Sequence, residues 1–213
     1  MCIIKDEFQT GMFSTHARGF VRAMSSHVCK EVTIPVPWGV IAGKEWISPS
    51  FDKARDTQWI VLHGWLDNAG SFDLLAPLLT SASPRHSLLC LDVPGHGLSS
   101  HKPPGQMYHY LECLQTIRLA ARSLGCDKFG LMGHSMGAGM CSTFAAVYPE
   151  MVHALVMIDI VKPVGRKTED IIQRTRQSVD SFFIIEDKIA KGEKVYASED
   201  EAFKRLQDGA RSE

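Results

Sequence analysis

An α/β fold built on a mostly parallel, doubly wound sheet is what this sequence predicts, and three observations predict it. Short apolar runs recur at 57–62, 86–91, 129–132 and 152–158, each closed by a turn or a polar residue. Segments with helical apolar spacing lie between them, as crossover connections of parallel strands require. Gly133-His134-Ser135-Met136-Gly137 falls between one such run and a helix rich in Ala, Gly and Met.

The elements are justified in chain order. From Met12 to Cys29 there is no acidic residue, while Arg18 and Arg22 punctuate Ser, Thr and Ala. That composition suits an organellar address, although Asp6 and Glu7 upstream argue against one unless Met12 is the start. The other reading of 1–30 is a disordered leader. The core is expected over 31–163. Glu31–Val36 alternates polar and apolar residues, Pro37-Trp38-Gly39 turns the chain, and Val40–Ile47 follows as the second arm of a hairpin.

Thr57–Leu62 is apolar enough to be buried on both faces and ends at His63-Gly64. Ser71 is placed to cap a helix carrying Leu74, Leu75, Leu78 and Leu79. His86–Leu91 is the next buried strand, ending at Asp92, with Pro94-Gly95-His96-Gly97 as a loop. Tyr108–Leu124 reads as a helix, with Leu111, Leu114, Ile117, Leu119 and Leu124 on or near its buried side. Phe129–Met132 runs into the Gly133–Gly137 turn. The helix Met136–Tyr148 stops before Pro149, and Val152–Ile158 ends at Asp159.

Past Pro163 the character changes. Thr168-Glu169-Asp170 opens a helix with acids in its first turn, and Ile171, Ile172, Val179, Phe182, Ile185 and Ile189 mark its apolar side. Ser198 and Glu201 are spaced as a capping box for another helix. Residues 164–213 read as a partial helical cap.

Bulk properties exclude several functions. The chain of 213 residues is 45% hydrophobic and 22% charged with a formal net charge of -1. Neither nucleic acid nor an anionic membrane surface is a favoured partner at that balance. No apolar run approaches the roughly 18 residues of a transmembrane helix. Cys2, Cys29, Cys90, Cys113, Cys126 and Cys141 include no C-x-x-C pair, so reduced thiols are expected rather than a disulfide frame or a metal site. No cofactor is called for, and the reading is of an intracellular protein, cytoplasmic or organellar.

Gly-x-Ser-x-Gly alone is a weak signal. Between an apolar strand and a small-residue helix it becomes a nucleophile elbow: Ser135 sits on a strained turn, and Gly133 and Gly137 permit close approach of neighbouring backbone. An acyl-transfer site also needs two N–H donors for the tetrahedral oxyanion. Met136, following the nucleophile, supplies one, and Trp65, in the loop after Thr57–Leu62, is the candidate for the other.

The blocks His63-Gly-Trp-Leu-Asp-Asn-Ala-Gly-Ser-Phe-Asp73, Asp92-Val-Pro-Gly-His-Gly-Leu-Ser-Ser-His101 and Gly133-His-Ser-Met-Gly137 together resemble an α/β-hydrolase. With Val36-Pro-Trp-Gly39 they look like the serine hydrolase-like (kraken-type) proteins. The resemblance covers Val32 to about Pro163 and implies a Ser-acid-His triad with Ser135 as its serine, acting on carboxylic esters, thioesters or amides. Asp159 matches the position where some relatives carry the acid, while most carry it one strand later; the other reading of Asp159 is a strand-end residue that caps a backbone or orients a loop. Asp92 is better suited to fixing its glycine-rich loop. The family pattern puts the histidine after the acid, and none of the nine histidines follows Asp159. The expectation is therefore the front portion of the fold, truncated before its last strands, with weak or no activity of its own. The alternative is a non-catalytic binding or regulatory protein that keeps the pocket.

Overall fold

The computed structural model describes residues 28–161, 165, 168–191, 198, 200, 201, 203, 204 and 207. Of the expected 1–30 leader and its address, residues 1–27 lie outside the described set, and Val28, Cys29 and Lys30 belong to a strand. Two compact units divide the chain, the first running to Gly165 and the second starting at Arg166.

The first unit is a six-stranded sheet. Its strands are β1 (Val28–Val36), β2 (Gly39–Ile47), β3 (Thr57–Leu62), β4 (His86–Leu91), β5 (Phe129–His134) and β6 (Val152–Ile158). They lie in the order β1-β2-β4-β3-β5-β6. β1 and β2 form the antiparallel hairpin, and β2 pairs antiparallel with β4. The β4-β3-β5-β6 pairings are parallel, as the apolar runs and helical crossovers predict.

Helices cover both faces. Ile60 and Leu62 of β3 project into a core with Ile117, Ala120 and Leu124 of α2 (Glu112–Leu124) and Phe144 of α3 (Met136–Val147). Val61, between them in sequence, projects the other way and packs with Phe72 and with Ala76 of α1 (Leu75–Ala82). Alternation along a strand sends neighbouring residues to opposite faces, so a strand covered on both must be apolar throughout. β6 lies at the edge of the described sheet and instead alternates between more and less exposed residues.

Several boundaries differ from the sequence expectation. β1 starts at Val28, because backbone pairing with Ile47 holds three residues that carry no strand pattern. Ser71 does not cap a helix. Asn68 does: its side chain accepts from the Gly70 N–H and starts a short 3-10 turn, Ala69–Phe72, while α1 begins only at Leu75. The Ser71 hydroxyl donates to the Asn68 carbonyl instead (2.8 Å). α2 begins at Glu112 rather than Tyr108, and Leu111 is exposed. The preceding segment is held by side chains, with Lys102 Nζ donating to the Met107 carbonyl and the Tyr108 hydroxyl bonded to His101 Nδ1.

The second unit contains a 3-10 turn, Thr168–Asp170, followed by α4 (Ile171–Ala190). Glu201 N–H donates to Ser198 Oγ (3.2 Å), the bond that a capping box makes at a helix start. Among the described residues, no helix is long and apolar enough to cross a membrane. Cys29, Cys90, Cys113, Cys126 and Cys141 are free thiols.

Phe144 is fully buried, 5.8 Å from the Phe129 ring and 4.9 Å from the Tyr148 ring. Phe144→Ala is expected to lower unfolding free energy by about 3–5 kcal/mol, because a ring-sized void opens where α3 meets the sheet. Urea denaturation followed by circular dichroism checks it; a loss under about 1 kcal/mol would mean that α3 is not anchored there.

Candidate active site

The site forms where β3 and β5 end and α3 begins. Ser135 has φ 48 and ψ -112, a conformation that costs a residue with a Cβ about 1–3 kcal/mol and persists only where surrounding contacts impose it. Those contacts are backbone bonds. Ser135 N–H donates to the Ile158 carbonyl (2.9 Å), and Gly137 N–H donates to the His63 carbonyl (3.1 Å). The first turn of α3 is thereby tied to β6 on one side and to the end of β3 on the other.

The elbow glycines leave no alternative. A Cβ on Gly133 would lie 2.3 Å from the carbonyl carbon of Gly137, and one on Gly137 would lie 2.2 Å from the carbonyl oxygen of Leu62. Neither backbone atom can move without breaking the sheet or the helix.

The loop after β3 reaches the same point. A Cβ on Gly64 would meet His134 Nδ1 at 3.0 Å and Ser135 Cβ at 3.6 Å, so Gly64 lies against the elbow. Asp67 N–H to the Gly64 carbonyl (3.3 Å) closes a turn with Leu66 at φ 56. Trp65 holds the second position of that turn, whose N–H the turn's own bond does not use. Met136 is the first residue of α3, where the N–H has no intrahelical acceptor and the helix presents its positive end.

His63 clamps this loop to the next one. Its ring is fully buried, with Nδ1–H donating to the Gly64 carbonyl (2.7 Å) and Nε2 accepting from the Val93 N–H (3.0 Å). Both nitrogens are committed, so His63 has none with which to take a proton from Ser135. Burial, with His96 nearby, pushes its pKa below the ordinary 6.5. Asp92 plays the matching role beside it: one carboxylate oxygen accepts from Ala69 N–H and the other from Leu98 N–H, each at 2.7 Å.

Asp159 directly follows the residue whose carbonyl receives the Ser135 N–H. It is exposed and has φ 80, another strained backbone position beside the elbow. His134 is half-buried against Gly64, and His153 is exposed near Trp59 (5.9 Å between rings). Among the described residues, no imidazole is hydrogen-bonded to the Ser135 hydroxyl, and no group of three or more His, Cys, Asp or Glu side chains is arranged to hold a metal.

A cleft of ≈ 390 Å³ adjoins Met136. Trp65, Tyr108 and Tyr110 stand exposed at its rim, and Val93, Cys113 and Met140 are buried at its floor. Sequence reading missed this cleft. The helical spacing from Tyr108 hides Tyr108 and Tyr110, which precede α2, and the floor residues look like ordinary core positions until the loop after β4, α2 and α3 are assembled.

Comparison with known proteins agrees with the fold. The sequence profile described as "alpha/beta hydrolase fold" matches residues 60–187, more than half of the chain. A serine hydrolase-like protein of Danio rerio is 34% identical over 163 residues, covering 76% of this chain and 48% of its own length. A serine hydrolase-like protein of Mus musculus is 41% identical over 129 residues, or 61% of this chain and 39% of that protein. The chain thus spans less than half the length of these two relatives. A hypothetical protein from Pseudomonas aeruginosa PAO1, known from a crystal structure, superposes with a TM-score of 0.69 at 30% identity over 84% of this chain and 60% of that one.

Two outcomes test the clamp. His63→Ala leaves the buried Val93 N–H without its acceptor and opens a void, and should cost about 2–4 kcal/mol of stability in urea titration. Because the folded-state pKa of His63 is depressed, its stabilising contribution is present above the unfolded value of 6.5 and is lost as pH falls through the lower folded value. His86 shifts in the same direction, so the difference between wild type and His63→Gln isolates the part due to His63. The gap in stability between about pH 7.5 and about pH 5 should be smaller in the variant; an identical pH profile would show that His63 is not buried neutral.

Proposed function

On the premise that the chain belongs to the α/β-hydrolase fold family, we propose that it is built for serine-based hydrolysis of carboxylic esters or related acyl compounds, with Ser135 as nucleophile. The observation that carries this reading is the strained Ser135 at the start of α3, with the Gly64–Trp65 turn packed against it. Ser135 Oγ attacks the acyl carbon and its proton passes to a base. The new oxyanion lies between the N–H groups of Trp65 and Met136, at the positive end of α3. Collapse expels the alcohol or thiol with a proton, and water then attacks the acyl-serine to release the acid.

Asp159 is the proposed acid of the triad. Its support is position: it follows the carbonyl bonded to Ser135 N–H and has a strained backbone of its own. The base is not among the imidazoles described: His63 is fully engaged, and none of the others bonds the Ser135 hydroxyl. A serine hydroxyl without a base is a poor nucleophile near neutral pH. That observation favours a second reading, in which these 213 residues bind acyl compounds without turning them over.

Hydrolysis of p-nitrophenyl esters, with Ser135→Ala as control, separates the readings. A Ser135-dependent rate well below about 1 s⁻¹ is expected, since the oxyanion donors remain but proton transfer is unassisted. A faster Ser135-dependent rate would mean that another group serves as base. Labelling by a fluorophosphonate should occur in wild type and disappear in Ser135→Ala; equal labelling of both proteins would remove Ser135 from the chemistry.

A further inference from the structure

The cleft beside Met136 has a composition that says what it holds, granted that Ser135 is the acylated residue. We propose that it is the acyl-chain pocket and that it takes unbranched apolar acyl groups of roughly eight to twelve carbons. A cavity of about 150 Å³ holds the six carbons of benzene, which sets a ceiling of roughly fifteen carbons for this cleft, and its exposed rim leaves part of that space to water. The cleft measures ≈ 390 Å³, more than twice the volume of the benzene cavity.

Position gives the orientation. Met136 supplies an oxyanion donor and also lines the cleft, so a chain bonded to the carbon of that oxyanion enters at once. Trp65, which carries the other proposed donor, stands at the rim on the same side.

The walls give the chemistry. Their apolar part is Val93, Cys113, Met136 and Met140, with the rings of Tyr108 and Tyr110. Several of their polar groups are already engaged. The Glu112 carboxylate is paired with Lys102 Nζ, and the Thr116 hydroxyl donates to the Glu112 carbonyl (3.2 Å). His101 Nδ1 is bonded to the Tyr108 hydroxyl (3.2 Å), His109 Nδ1 accepts from Leu111 N–H (3.3 Å), and the Tyr110 hydroxyl meets Thr143 Oγ1 (3.3 Å). His96 Nε2 has no partner but is closed off from solvent. A polar ligand would find few free partners here and would forfeit its own hydration, whereas an alkyl chain forfeits nothing. Burying successive methylenes is then the main source of affinity.

The test is calorimetric titration of Ser135→Ala with straight-chain carboxylates from butyrate to tetradecanoate, and with the matching n-alcohols. Affinity is expected to rise about fourfold per methylene up to roughly ten carbons and then level off. Each carboxylate should bind at least tenfold more tightly than the alcohol of equal length, because the oxyanion donors bond an anionic oxygen more strongly than a neutral hydroxyl. Met140→Trp, which fills the floor, should move the plateau to shorter chains. An affinity independent of chain length overturns the proposal, as does equal binding of alcohols and carboxylates. Because the titration involves no covalent step, these results stand apart from the labelling of Ser135: a chain-length series without labelling keeps the pocket and removes the hydrolase reading, and labelling without a chain-length series does the reverse.

Discussion

Everything at the site depends on how closely the first turn of α3 lies against the end of β3. Gly137 N–H reaches the His63 carbonyl at 3.1 Å, and a Cβ on Gly137 would fall 2.2 Å from the carbonyl oxygen of Leu62. Backbone touches backbone there, with no side chain between. That contact holds Ser135 in its strained conformation at the start of α3, where the first N–H groups of the helix have no intrahelical acceptor. The strain is small beside the burial of Leu62, Leu131 and Phe144 around it, which is why the surrounding core can impose it.

A second layer of contacts converts a turn into a site. His63 bridges the loops after β3 and β4 through both ring nitrogens, and Asp92 ties the same two loops together through two backbone N–H groups. Loops that carry reacting groups are the least rigid parts of a fold unless such bonds hold them. Two buried titratable side chains are thus spent on geometry rather than on proton transfer. A buried, hydrogen-bonded polar group is costly to disturb, so the same bonds that consume these side chains also keep Gly64 against the elbow.

Met136 both follows Ser135 at the start of α3 and lines the cleft, so the proposed charge stabilisation and the shape of the cleft meet at one residue. On the proposed reading, the oxyanion donors act by electrostatics at a fixed point, while the buried Val93, Cys113 and Met140 floor excludes water beyond it. A low-dielectric floor also strengthens the field of the helix start, since fewer waters remain to screen it.

By itself the sequence determined the parts of this protein that rest on local pattern. Apolar runs bounded by turns set β3, β4 and β6 to the residue, because each run ends where a turn or polar residue takes the chain out of the sheet. The Gly-x-Ser-x-Gly spacing marked the elbow, because only that arrangement of glycines fits the close approach. Ser71 as a cap and Tyr108 as a helix start both failed, and for one reason. Several residues nearby can satisfy the same local rule, and long-range bonds choose among them: Asp92 takes Ala69 N–H beside the Asn68 cap, and His101 and Lys102 hold Tyr108 outside the helix. Only the tertiary structure decided that both nitrogens of His63 are occupied and that the floor of the cleft joins residues from the loop after β4, from α2 and from α3. Hydrogen-bond partners and cavities are properties of assembled elements, and no spacing within a single element encodes them.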